Sequence, residues 1–246
     1  HVFRRRQRQM CIRDRDAKRG KIFSVLIREL TVAAKLGGGV TDDNPRLRTA
    51  VDKALAANMT KDTIERAIQR GAGGLEGENL EEVSFEGYGP GGIAIIVESM
   101  TDNNNRTVAE VRHAFTKSGG NLGTNGSVSY LFEKKGLINI TPDQDADQVM
   151  EISIEAGAED IEVNKDDSIT VSASPEDFEN IKKALLEKEI DLIDSDIALI
   201  PETTVKADLD TSLKVFKLLE MLEDLDDTQN VTSNIEFAEG MLDQLD

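Results

Sequence analysis

The sequence contains few of the side chains that most often carry catalysis or metal binding. Its 246 residues include one cysteine, two histidines and no tryptophan. One cysteine cannot form an internal disulfide, which is typical of a reducing compartment, and so few Cys and His side chains argue against a zinc cluster or a Cys/His nucleophile pair. No other acid/base or nucleophile constellation stands out, so we expect no enzyme activity and no cofactor or metal.

Long apolar runs are also missing. No stretch reaches the ~18 residues that a membrane-spanning helix needs, and no apolar segment follows the N-terminus as it does in a signal peptide. A hydrophobic content of 39% is still enough to form cores in more than one domain. We therefore expect a cytoplasmic protein that has no membrane partner. The sequence leaves the oligomeric state open, with a monomer favoured.

Glycines cluster in the stretch GYGPGG, residues 87–92, which raises the question of a nucleotide site. In dinucleotide-binding motifs and P-loops the glycines follow a strand and open a helix, so that backbone N–H groups converge on phosphate. Here the glycines precede the apolar run Ile93–Met100, and no Gly-Lys-Ser/Thr follows. The order predicts a tight turn into a buried strand.

The charge is distributed unevenly along the chain, although the net charge is −18. Residues 1–75 carry 17 Lys/Arg and 8 Asp/Glu, a balance of +9, whereas residues 76–246 carry 12 and 39, a balance of −27. This asymmetry predicts a basic head that meets polyanions and an acidic body that keeps the protein soluble.

The first fifteen residues, HVFRRRQRQMCIRDR, need separate treatment. They have no periodic apolar face, and their 6 Arg and 1 Asp supply much of the positive charge of the head. We expect residues 1–15 to be a non-native or disordered segment and exclude them from the fold prediction.

Residues 16–75 are predicted to form a basic domain of three short helices. Apolar residues between Asp16 and Leu36 fall on one arc at about 100° per residue, which indicates an amphipathic helix. Lys21, Arg28 and Lys35 recur every seventh residue on a stripe opposite this arc. Capping and stop signals bound the helices: Gly37–Gly39 after the first, Asn44 and Pro45 at the start of the second, Thr60 and Gly71 at the two ends of the third. The stretch GAGGLEGEN then predicts a linker.

Beyond the linker, strands and helices alternate. The stretches EEVSFEGY and GIAIIVESM predict a strand pair, RTVAEVRHAFTKSGG a helix, and SVSYLFEKKGLINI two strands around a Lys-Gly turn. The block 137–200 has the order β-α-β-β-α-β of a ferredoxin-like domain. A helix near 209–226 and a strand near 231–237 lack partners of their own, so we assign them to the sheet that begins at residues 81–133. The block 137–200 is then an insertion.

Several long stretches of this sequence are distinctive enough to indicate a family. They are DAKRGKIFSVLIRELTVAAKLGGG, DDNPRLRTAVDKALAANM, KDTIERAIQRGAGG, EGYGPGGIAIIVESMTDNNNRTVAEVRHAFTKSGGNLG and GSVSYLFEKKG. In content and order they resemble the YebC/PmpR family, described as transcriptional regulators with mitochondrial relatives that act as translational activators. The resemblance extends from Asp16 onward, although residues 141–246 match in layout more than in motif.

The resemblance implies an α+β fold, in which a helical N-terminal three-helix domain is followed by two ferredoxin-like α+β domains, one inserted in the other. This agrees with the element order above, with domains at 16–75, at 76–136 together with 201–246, and at 137–200. One departure is clear: family members usually begin with a basic segment containing Gly-His-Ser-Lys-Trp, and residues 1–15 stand in its place here. The resemblance therefore implies no binding role for residues 1–15, whatever the basic segment contributes in other family members.

Nucleic-acid binding through the helical head is the leading functional hypothesis, because Lys and Arg neutralise phosphates and release counterions. The candidate residues are Lys18, Arg19, Lys21, Arg28, Lys35, Arg46, Arg48, Lys53, Lys61, Arg66 and Arg70. Charge alone favours ordinary solvated helix faces paired with neighbouring acids, whereas the resemblance favours binding. A second, smaller candidate set consists of Arg106, His113 and Lys117, which share one polar face of a later helix. An ordinary helix face exposed to water also explains this pattern.

The residues themselves do not show whether the bound polymer is DNA or RNA. DNA readout needs a helix that presents residues such as Arg66 and Gln69 to base edges, but their spacing is not diagnostic. Structured RNA is recognised by shape and phosphate contacts, which a basic bundle also suits. The resemblance favours a DNA-binding transcriptional regulator, with a translation factor that binds ribosomal or messenger RNA as the alternative. An acidic protein–protein adaptor acting through residues 201–246 is the third hypothesis.

Overall fold

The computed structural model describes residues 2–73, 80–164 and 166–241, and the side chains within these ranges from Gly20 onward. The described chain forms two compact units: a first unit of His1–Ser127 with Lys206–Asp246, and a second unit of Val128–Val205. Of the predicted linker, residues 74–79 lie outside the described residues.

The N-terminal part of the first unit consists of helices α1 (Val2–Gly37), α2 (Pro45–Ala56) and α3 (Lys61–Gly71). The helix predicted from Asp16 begins at Val2, because the Arg- and Gln-rich stretch before it contains no Gly or Pro to stop a helix. Both predicted N-caps are confirmed, since Asn44 accepts a hydrogen bond from Leu47 N and Thr60 accepts one from Thr63 N. The three helices share one buried core, which includes Leu26, Leu30, Leu47, Ala50 and Ile64.

The rest of the first unit is an antiparallel sheet with two helices. Its strands are β1 (Glu81–Tyr88), β2 (Ala94–Thr101), β3 (Asn121–Leu122) and β9 (Thr228–Ser233), in the order β3-β1-β2-β9. Helices α4 (Asn104–Lys117) and α7 (Leu209–Glu223) pack on it, with a core that includes Phe85, Ile95, Phe115, Val215 and Leu218. The prediction that the last helix and strand join this sheet is confirmed, because β9 pairs with β2.

The glycine-rich stretch is a turn, as predicted. Pro90–Gly92 form a 3-10 turn between β1 and β2, with Gly91 and Gly92 at φ +72° and +74°. Glycine adopts this left-handed region more readily than any residue with a Cβ. The two glycines therefore serve the turn into the buried strand.

The second unit has its own sheet and core. Strands β4 (Phe132–Ile140), β5 (Asp160–Val163), β6 (Ile169–Ala173) and β7 (Leu192–Pro201) are ordered β5-β6-β4-β7, the strand order of the split βαβ fold. Helices α5 (Ala146–Glu155) and α6 (Phe178–Glu187) contribute to the core. Strands β8 (Val205–Lys206) and β10 (Ile235–Glu236) form a separate two-stranded ribbon.

One predicted turn is wrong. The Lys-Gly pair at 135–136 does not reverse the chain, and β4 continues through Gly136, which pairs with Ala173 on one side and Ile197 on the other. The ring of Phe178 would lie 2.5 Å from a Cβ at this position, so glycine permits close helix packing here. The mixed α+β class is nevertheless as predicted.

Candidate nucleic-acid interface

The three cations of the basic stripe of α1 all have hydrogen-bond partners within the chain. They donate to main-chain carbonyl oxygens of the sheet region: Lys21 to Leu225, Arg28 to Asp226, and Lys35 to Leu80 with an Nζ–O distance of 3.2 Å. Because Lys21, Arg28 and Lys35 repeat every seventh residue, one face of α1 brings all three to the same side. The stripe that the sequence pattern assigns to phosphates is thus occupied by oxygen atoms of the chain itself.

Asp227 forms the centre of this contact. Its side chain is 1% exposed, and its Oδ1 lies 3.0 Å from Arg28 Nη2 as an ion pair. Its Oδ2 accepts hydrogen bonds from Arg106 at 2.7 Å, Thr107 at 2.7 Å and Thr101 at 3.0 Å. Burial alone would raise the pKa of Asp227, but these hydrogen bonds outweigh burial and hold the pKa below its usual value. Asp227 therefore stays ionised and links α1 to β2 and α4.

Two of the three cations, Lys21 and Arg28, contact the acidic turn, residues 224–227, which directly follows α7. The C-terminus of a helix carries partial negative charge, to which the acidic side chains of the turn add. Burial lowers the pKa of Lys21, although Asp224 and Asp226 act against this by attraction. Burial and the like charge of Asp224 raise the pKa of Glu223. Lys21 and Arg28 thus lie in a strongly negative local field.

Arg46 is also engaged within the chain. Its Nε lies 2.7 Å from Glu29 Oε1, and its Nη2 pairs with Glu82 on β1. The hydrogen bond that Arg46 donates to Glu29 is the main reason that the pKa of Arg46 is raised. Arg46 therefore connects α1, α2 and β1. Its charge is used in contacts that hold these elements together.

The remaining candidates of the helical part lie on α2 and α3. Arg48 is exposed and donates to Asp42 O at 2.8 Å, and exposed Arg66 pairs with Asp62 one turn earlier. Lys61 and Arg70 are exposed, and within the described part of the chain their side chains make no ion pair. The last of this group, Lys53, is half-buried and has a partner. The side chains of Lys18 and Arg19 lie outside the described residues.

The second candidate set on α4 is divided by the structure. Arg106 belongs to the Asp227 cluster, whereas His113 and Lys117 are exposed and line clefts between α4 and α7. The larger cleft is a groove of about 740 Å³ whose lining also includes Lys214 and Lys217. Sequence reasoning missed these two lysines, because the helical spacing of α7 drew attention to its apolar face.

Asp227 was also missed, and no sequence signal identifies it. The stretch EDLDD contains four acids, and only the packed structure shows which one is buried. Among the described residues, no group of His, Cys, Asp or Glu could hold a metal ion. In the same part of the chain, no helix is long and apolar enough to cross a membrane.

Comparisons with known proteins give matches along nearly the whole chain. The family model for the TACO1/YebC protein N-terminal domain matches residues 7–74, and the model for the TACO1/YebC second and third domain matches residues 80–235. A protein of Francisella tularensis subsp. tularensis named "Probable transcriptional regulatory protein" is 58% identical over 230 residues, covering 94% of this chain and 93% of the relative. A protein of Francisella philomiragia with the same name is 57% identical with the same coverage. The crystal structure of a conserved hypothetical protein from Aquifex aeolicus matches with a TM-score of 0.83 and 48% identity, over 92% of this chain and 94% of that one.

Proposed function

Because the chain belongs to the TACO1/YebC family, we propose that it is a DNA-binding transcriptional regulator of the cytoplasm that contacts phosphates through α2 and α3. The observation that carries this proposal is the exposed cationic surface of α2 and α3, made by Arg48, Lys61, Arg66 and Arg70. Exposed Lys and Arg side chains gain affinity for polyanions by displacing condensed counterions. The name shared by close relatives supports a role in transcription.

The balance of charge favours a short contact. The acidic residues of 76–246 repel polyanions, and this repulsion is screened beyond about 8 Å at physiological ionic strength. A duplex that touches the exposed face of α3 gains its attraction locally, so the predicted footprint is small. Lys61 and Arg70 are the best-placed contacts, since neither has to break an ion pair with the described residues.

The test is a charge reversal with a matched control. We expect Lys61→Glu/Arg70→Glu to weaken binding of a DNA duplex by about tenfold or more and to lower the log–log salt slope by about 2, one for each lost phosphate contact. The control Lys183→Glu/Lys188→Glu makes the same charge change on exposed lysines of the second unit and should bind nearly as wild type. Equal losses in the two variants would refute the assignment to α3.

One observation favours RNA as a second candidate. Arg66, which the sequence names with Gln69 as a candidate for base readout, is paired with Asp62, which leaves phosphate contacts as the main contribution of α3. Phosphate contacts suit structured RNA as well as DNA. Crosslinking in cells, followed by sequencing of bound DNA and bound RNA, separates the two. Enrichment of a few DNA sites by ~10³ or more over random sequence supports the regulator, and crosslinks to RNA alone would replace it with a translation factor.

A further inference from the structure

The basic stripe of α1 meets oxygen atoms much as it would meet a phosphate backbone. Lys21, Arg28 and Lys35 each donate to a carbonyl oxygen, and Arg28 also pairs with the carboxylate of Asp227. A row of cations that repeats every two helical turns is an arrangement that a polyanion can also satisfy. The acidic turn, residues 224–227, occupies most of that row.

The contact between α1 and the sheet region is mainly polar, so a polyanion can compete with it. The apolar arc of α1 packs on α2 and α3, while the sheet has a separate core with α4 and α7. Among the described residues, the buried apolar cluster that joins α1 to the sheet region is small and consists of Val32, Leu80 and Met100. Individual hydrogen bonds and partly exposed ion pairs are each weak in water, and an array of phosphates can replace them.

The stripe is also partly accessible to an outside ligand. The Arg28 side chain is 22% exposed, although its partner Asp227 is 1% exposed. Lys21 is half-buried, and the three acidic side chains that attract it, Asp224, Asp226 and Glu223, are all exposed. An approaching polyanion can therefore reach the cations before the turn has moved away completely.

We propose that the α1 stripe is a second polyanion-binding surface, which the acidic turn masks by acting as an internal competitor. The proposal rests on the nucleic-acid function proposed above and adds its regulation. Binding through α2 and α3 brings phosphates close to the same helical domain, and displacement of the turn then extends the contact to Lys21 and Arg28. The protein thus binds short ligands weakly and long ligands more tightly, because only a long polymer reaches both surfaces.

The first test neutralises the turn without altering Asp227. Asp224→Asn/Asp226→Asn should bind a long DNA duplex or a structured RNA about fivefold or more tightly than wild type, the lower end of ordinary coupling between sites. The control Glu151→Gln/Glu155→Gln makes the same change in net charge on exposed residues of α5 and should stay within about twofold of wild type. Equal tightening in both variants would overturn the mask, since it would show a general effect of net charge.

The second test measures masking without relying on affinity. A water-soluble carbodiimide joins amines to nearby carboxylates, so it should crosslink Lys21 to Asp224 or Asp226 in the free wild-type protein, and mass spectrometry gives the yield. Added duplex or structured RNA should lower this yield. An unchanged yield under saturating nucleic acid would overturn the mask and leave the proposed function standing. Failure of every variant to bind either polymer would overturn the proposed function and the mask together.

Discussion

At the scale of single residues, Asp227 is the point where two arginines and two threonines from separate elements converge. Because its carboxylate is buried and ionised, removal of its charge leaves Arg28 and Arg106 without their shared partner. Loss of one partner from a buried ion pair is costly, and the partial exposure of both arginines reduces that cost. The fold of the first unit therefore depends on this one acid more than on the exposed acids beside it.

We expect Asp227→Asn to lower the free energy of unfolding by about 2 kcal/mol at pH 7, measured by urea denaturation. The pKa of Asp227 is below its unfolded value of about 3.9, so its stabilising effect is present above that pH and is lost as the pH falls through the folded pKa. Wild type should consequently lose more stability than the variant between pH 5 and pH 3. The neighbouring exposed Asp226→Asn serves as the control, and a similar loss in both variants would contradict a special role for Asp227.

At the scale of elements, glycine sets how closely α1 and α3 approach. A Cβ at Gly71 would overlap the carbonyl oxygen of Thr31 and lie 2.9 Å from the Ala34 side chain. Gly20, within α1, has open space around the same position. The sequence pattern identified Gly71 as a helix stop, but its role in helix packing becomes apparent only from the crossing of the two helices.

These two glycines give a matched prediction. Gly71→Ala should destabilise the first unit by about 1–3 kcal/mol, because the added methyl group forces the helices apart. Gly20→Ala should stabilise by up to about 1 kcal/mol, because alanine is the better helix former at an open position. Thermal unfolding of the two variants checks both signs, and a stabilised Gly71→Ala would show that α1 and α3 are not in close contact.

At the scale of the whole molecule, the second unit is a continuous segment whose buried core is built from its own sheet and helices. We expect removal of residues 128–205, with a short Gly/Ser linker joining Ser127 to Lys206, to leave a first unit that unfolds cooperatively. The isolated segment 128–205 should also unfold in a single transition. Circular dichroism with denaturant titration measures both, and a first unit that loses cooperativity would show that it depends on the insertion.

Much of the fold is predictable because it depends on local signals. The N-caps Asn44 and Thr60, the turn at Pro90–Gly92 and the alternation of strands beyond residue 80 all act over a few residues. The prediction of a turn at Gly136 was wrong because the same Lys-Gly pair occurs in hairpin turns and in strands that pass close to an aromatic ring. The place of the last strand in the sheet of the first unit was predictable only by elimination, and its pairing with β2 is known from the structure alone.

The sequence by itself determined the class of the fold, the N-caps of α2 and α3, the family and the uneven distribution of charge, since each of these depends on residue types and on spacings along the chain. The tertiary structure decided which charges are available. Lys21 and Arg28 have the same spacing whether they face solvent or an acidic turn about 200 residues later, and sequence periodicity describes one helix without its partner. Only packing reveals that Asp227 is buried while Asp226 is exposed, because burial depends on contacts between elements distant in sequence.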